Sequence, residues 1–235
     1  MTSANPLTTF DVPSQDSFSV ASVVPSILRE RLLSNKPLKY NTVEQRQAVV
    51  ARIRIHKIEN QSAVLTTMQT VMPNKSAILS VVLNTLYGTL VDALSGSGAV
   101  ITEMSLDGLT AVYLLESGTQ AGRVHEALVS VEKAIENATG RIPAGYPDIR
   151  WKPSAGVGIG VISFAVINNQ PLNRNIFLIG GEALQQADEA LNLAEDGQLI
   201  THRDVLKRLG SAPVGQWVKA QYFLSNESFS TGMVG

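Results

Sequence analysis

The sequence predicts an α+β fold with a ferredoxin-like core, a mainly antiparallel sheet with helices packed on it. Three observations predict it. Segments of two-residue apolar period interleave with segments of helical period, in the order strand, helix, strand, strand, helix, strand, strand, helix, strand, helix, strand. The second and third strands flank Asp107-Gly108, a dipeptide that turns tightly because both residues tolerate positive φ. The chain of 235 residues is 44% hydrophobic and 17% charged, which suffices for the core of one large domain.

The elements follow in order. Residues 1–44 read as an arm rich in Ser, Thr and Pro followed by a short helix, where Ile27, Leu28, Leu32 and Leu33 share a face and Ser26 caps the start. Residues 45–225 form the domain and 226–235 a tail. In "AVVARIRIHKIEN", Val50, Ile53, Ile55 and Ile58 alternate imperfectly with Arg52, Arg54 and His56, as in a half-buried strand. A long amphipathic helix carries Ile78, Leu79, Val82, Leu86, Leu90 and Ala93 inward, capped by Asn74 and stopped by Gly96 to Gly98. The Asp107 hairpin comes next. A second helix, over about 119–139, turns Val124, Leu128, Val131, Ile135 and Ala138 to the core. "RIPAGYPDIRWKPS" is a loop, broken by its prolines and glycines. "AGVGIGVISFAVI" is a buried strand whose small residues mark a close approach. Strand "NIFLIGG", helix "EALQQADEALNLAED", strand "QLIT", helix "HRDVLKRL" and strand "QWVKAQYFL" complete the chain.

Composition excludes several classes. A formal charge of −1 gives no field that steers the chain to nucleic acid or a membrane. The absence of cysteine removes disulfides, thiolate metal sites and a Cys nucleophile. No apolar run approaches the roughly 18 residues of a membrane span, and the start lacks the basic and apolar regions of a secretory signal. A cytoplasmic protein is the expectation. "GVGIG" lies within a strand with no helix after it, so it is no dinucleotide fingerprint, and no Gly-x-Ser-x-Gly appears. His125 and His202 have no matching ligands at metal spacing.

Three stretches together resemble the class III nucleotide cyclase domain, the adenylyl and guanylyl cyclase fold. They are the run from Ala77 to Leu114 with Asp107-Gly108, the strand containing Gly158-Ile159, and "LIGGEALQQADEALNLAEDGQLIT", with Gly181, Ala183, Leu184, Ala187, Ala194, Gly197 and Gln198 at compatible spacing. The resemblance covers about residues 45–225. It implies that Asp107 stands where the family places its second metal aspartate. The first would fall near His56 or Lys57, with Glu59 the nearest carboxylate. Two carboxylates would hold Mg²⁺ or Mn²⁺; Lys cannot, and His is a poor ligand for so hard an ion. Asp107 therefore has two readings, a turn former or a surviving metal ligand, and the turn former is preferred.

The remaining positions of the resemblance are altered. The purine-selecting lysine falls on Glu103, the ribose-orienting asparagine on Gln185 and the transition-state arginine on Glu189. An acid at the last position repels the charge that needs stabilising. "IGGEAL" shares its Gly-Gly-acidic pattern with diguanylate cyclases, but it runs straight into a helix. Arg52, Arg54 and Lys57 form a basic stripe, either a solvated face or a surface for an acidic partner or phosphate.

The expectation is thus a cyclase-like protein with no catalytic residues and no cofactor, acting by binding or assembly in a structural or regulatory role. By analogy, viruses and mobile elements reuse such stripped-down domains. The resemblance implies a homo-oligomer, a head-to-tail dimer, and the arm suits a clasp on a protein partner. Two alternatives stand beside it: a nucleotide or cyclic-nucleotide binding protein, in which Gln185, Glu103 and Glu189 line the cleft, and a divergent purine nucleotide cyclase using Asp107 and Glu59 with Mg²⁺ or Mn²⁺.

Overall fold

The computed structural model describes residues 43–56, 75–105, 107–115, 120–140, 152–169, 174–210, 213–226 and 228–229. The expected arm and short helix, the Asn74 cap, Lys57, Glu59 and the 141–151 part of the loop lie outside the described residues. The elements are β1 (Val43–His56), α1 (Lys75–Gly96), β2 (Val100–Ser105), β3 (Gly108–Leu114), α2 (Gln120–Ala138), β4 (Lys152–Asn169), β5 (Arg174–Gly181), α3 (Glu182–Leu193), β6 (Leu199–His202), α4 (Arg203–Leu209), β7 (Gly215–Lys219) and β8 (Tyr222–Ser225).

The first six elements form the expected ferredoxin-like unit. Their strands lie in the order β2-β3-β1-β4, and every pair is antiparallel. The sheet continues through β6, β8 and β7, and β5 folds back on β4. Only β6 runs parallel to its neighbour β4 among the described pairings, because α3 carries the chain across a face of the sheet between β5 and β6.

Strand periodicity divides the core. Val49, Ala51 and Ile53 of β1 turn to the face covered by α1, α2 and α4, where they pack with Leu86, Leu90 and Leu94, with Val124, Leu128 and Val131, and with Val205 and Leu206. The five core residues expected on α2 are all buried. Tyr113 is fully buried in this layer and donates its hydroxyl to Ser130 at 2.9 Å, so its polar end is satisfied. Phe229, in the expected tail, also joins this core, and its N–H donates to the Glu132 carboxylate.

The opposite face carries α3. Here β4 reads Gly156, Gly158, Gly160, and the helix lies directly on the first two. A Cβ at residue 158 would stand 2.6 Å from Gln186 Cβ and 2.8 Å from Ala187 N. A Cβ at residue 156 would stand 2.8 Å from Leu191 Cα. The small residues of β4 therefore mark a close approach, as the sequence predicts.

Three local readings change. Lys152, Pro153 and Ser154, read as the end of a loop, begin β4. The hairpin turn is displaced by one residue, since Ser105 already pairs with Gly108 and Gly108 is absent from the positive-φ glycines. Glycine is needed at 108 because a Cβ there would run into the Ile53 carbonyl of β1. The final expected strand is two strands. β7 and β8 form a hairpin that turns at Ala220 and Gln221, neither of which is a customary turn residue.

Candidate functional site

Along β1, the residues facing α3 change from apolar to cationic. Ala48 and Val50 are buried, whereas Arg52 and Arg54 continue the same face. The glycines of β4 bring α3 close enough to meet both arginines. Arg52 Nε donates to Asp188 Oδ1 of α3 at 2.7 Å. Its Nη1 donates to Thr110 Oγ1 at 2.7 Å and to the Glu103 carboxylate. Thr110 Oγ1 in turn donates to Glu103 Oε2 at 3.2 Å. One guanidinium thus ties the β2–β3 hairpin to α3.

Arg54 reaches further along the helix and donates Nη2 to the Leu191 carbonyl at 2.5 Å, near the C-terminus of α3, where backbone carbonyls attract a cation. Its Nε is buried without a hydrogen-bond partner. So is Ser154 Oγ, on the residue directly opposite Arg54 in β4.

A second polar group lies one turn back along α3. Gln185 Nε2 donates to Glu189 Oε1 at 3.0 Å, and the Tyr222 hydroxyl of β8 donates to Glu189 Oε2. The Tyr222 bond is the main cause that holds the Glu189 carboxyl below its usual range. Burial, with the Glu189 charge adding to it, pushes the Tyr222 phenol up to about 12. His202 packs edge-on against Tyr222, with ring centroids 5.3 Å apart. It has a structural task, since its Nδ1 accepts from Asp204 N at the start of α4.

Asp107 sits exposed at the hairpin tip. Its Oδ1 accepts from Ser105 Oγ at 3.1 Å, and its backbone carbonyl accepts from Ile55 N at 2.8 Å. Burial raises the Tyr87 phenol pKa, and the nearby Asp107 charge raises it further. Among the described residues no three His, Asp or Glu side chains gather as a metal site. In register, Arg54 stands opposite Gly108, beside the Asp107 turn, whereas His56 pairs with Lys152 at the end of the strand. The resemblance puts the first metal position near His56 or Lys57; the residue that the strand register sets beside the Asp107 turn is Arg54.

The structure therefore brings Glu103 together with Arg52, and Gln185 with Glu189, but these are two separate groups. Asp107 belongs to neither. Sequence reasoning did not find Asp188, Tyr222 or Gln186. Gln186 of α3 is buried against β4, and its Oε1 accepts from Ile159 N at 3.0 Å. The signal for it was available in the glycines of β4, which imply a helix pressed against that strand.

No protein-family model matches the sequence, and no curated protein matches it. Solved structures do. A bacterial light-regulated adenylyl cyclase matches at TM-score 0.65 and 13% identity, over 89% of this chain and 59% of that one. The guanylyl cyclase Cya2 matches at 0.56 and 15%, over 77% and 90%. A non-canonical dimeric guanylyl cyclase domain from the aquatic fungus Blastocladiella emersonii matches at 0.57 and 13%, over 78% and 98%. The arrangement of sheet and helices described above is the fold of the adenylyl and guanylyl cyclase domain.

Proposed function

We propose that this chain is a cyclase-fold protein without cyclase chemistry, acting by binding and assembly as a homo-oligomer. The observation that carries this reading is charge inversion. The two positions that the resemblance reserves for cations hold Glu103 and Glu189, and both carboxylates are committed to partners within the chain. Cyclisation develops negative charge on the transferring phosphoryl group, and a fixed carboxylate opposes it. The counterpart cation, Arg52, is engaged by Glu103 and Asp188.

Assembly is supported by the far end of the sheet. Val43, Ala165 and Leu178 stand side by side on β1, β4 and β5, with Ile167 two residues along β4, and Val43, Ile167 and Leu178 are exposed. A cluster of this kind is what a protein contact covers. The fungal guanylyl cyclase domain described as dimeric has the same fold.

The test is turnover of ATP and GTP with Mn²⁺, together with the solution mass by light scattering. No cyclic product and a mass above that of one chain are expected, and Leu178→Glu should lower that mass. Mn²⁺-dependent cyclic product that disappears in Asp107→Ala would refute the non-catalytic reading.

A further inference from the structure

Resting on the reading that the site binds rather than cyclises, we propose that the corner formed by Arg54 and Ser154 takes a phosphate-type oxyanion directly, without a divalent metal. These residues are register partners on β1 and β4, so their side chains leave the sheet side by side on the α3 face. Arg54 Nε and Ser154 Oγ are both buried and both lack a hydrogen-bond partner. Buried polar groups in folded proteins are paired, so two adjacent unpaired ones mark a place for an acceptor.

The corner is also preorganised. The bond from Arg54 Nη2 to the Leu191 carbonyl holds the guanidinium, and Gly156 beside it keeps α3 against the sheet. Arg52 has its charge balanced by Glu103 and Asp188. Among the described residues no carboxylate is ion-paired with Arg54. The Asp107 carboxylate accepts from Ser105, and its charge acts on Tyr87 of α1.

The ligand class follows from the donors. A guanidinium and a hydroxyl together suit an oxygen-rich anion, and a phosphate offers several acceptor oxygens to a guanidinium. A metal cation is excluded from this corner by the charge of Arg54 itself. The fixed cation supplies the positive charge that a bound metal would otherwise bring to a phosphate.

The experiment uses the full chain, inorganic pyrophosphate and EDTA, read by melting temperature and calorimetry against potassium chloride of equal ionic strength. Pyrophosphate is expected to raise the melting temperature by mass action. Arg54→Gln should weaken binding about tenfold or more. Ser154→Ala, which removes an unpaired hydroxyl and should fold normally, should weaken it severalfold. ATP and GTP form parallel arms: tighter binding than pyrophosphate identifies a nucleotide as the source of the phosphate, and equal binding identifies a free phosphate. No shift in EDTA, a shift only with Mn²⁺, or equal binding by both variants would overturn the proposal. Cyclic product from ATP or GTP in a separate arm with Mn²⁺ in place of EDTA would overturn the non-catalytic reading instead, so the two failures are separable.

Discussion

Gly158→Ala tests the central contact of this architecture. The added methyl would sit 2.6 Å from Gln186 Cβ and 2.8 Å from Ala187 N, and it would also meet the Ala183 carbonyl. Two of these three neighbours are backbone atoms, which no rotamer change can clear. Relaxed contacts between heavy atoms lie near 3.5–4.0 Å, so α3 must retreat by about 1 Å. Overpacking of this kind costs about 1–3 kcal/mol. The retreat also opens the 3.0 Å bond from Ile159 N to Gln186 Oε1. Leaving that buried N–H unpaired costs a further 1–3 kcal/mol or so. A loss of about 2–6 kcal/mol follows, a large share of the roughly 5–15 kcal/mol of a whole domain. Urea unfolding measures it, with an unchanged slope showing that the transition stays cooperative. Gly88→Ala is the internal control: nothing lies within 4 Å of its Cβ position and it sits inside α1, so the change should stabilise by roughly 0.5–1 kcal/mol. If Gly158→Ala unfolds within about 0.5 kcal/mol of the parent, α3 is not pressed on β4 and the geometry of both arginines loses its basis.

Three further outcomes are expected. Gln186→Leu keeps volume but removes the acceptor of Ile159 N, and should cost about 1–3 kcal/mol by urea unfolding; Ile159 should also lose amide exchange protection. The Tyr222 phenol is pushed up from its ordinary value near 10.0 to about 12, so its share of stability is complete below pH 10 and disappears as pH rises from 10 to about 12. Melting temperature followed across that window should fall less steeply in Tyr222→Phe than in the parent. Asp107→Asn should change stability by no more than about 0.5 kcal/mol, because its structural bond to Ile55 N uses the backbone carbonyl; a larger change in calorimetry would restore a role for the carboxylate.

Legibility followed the physics of each segment. The α2 stripe and the order of elements were readable because apolar periodicity reports burial directly, and α2 buries each residue so chosen. The β7–β8 hairpin was not, because Ala220 and Gln221 turn the chain without Gly, Pro, Asn or Asp. Asp107-Gly108 marked a hairpin correctly but for a different cause: Gly108 makes room for a neighbouring carbonyl and does not supply positive φ. Arg52 and Arg54 alternate with isoleucines and so read as a solvated edge, yet both reach under a helix that arrives more than a hundred residues later. Gln186 illustrates the same limit. A polar residue in an amphipathic helix reads as outward-facing until a gap in a distant strand gives its amide a buried partner.

That gap has a consequence of its own. The outer edge of β4 is shared, with residues 155–157 bonded to β6 and residues 162–169 bonded to β5. Between them lies a stretch with no strand beside it, spanned at Ile159 by one glutamine amide. The sheet is therefore two ladders that meet on a common rail. Each can lengthen, shorten or tilt without forcing the register of the other. The β4–β5 projection is free to be remodelled for a new partner while the half that seats α3 and its arginines stays as it is.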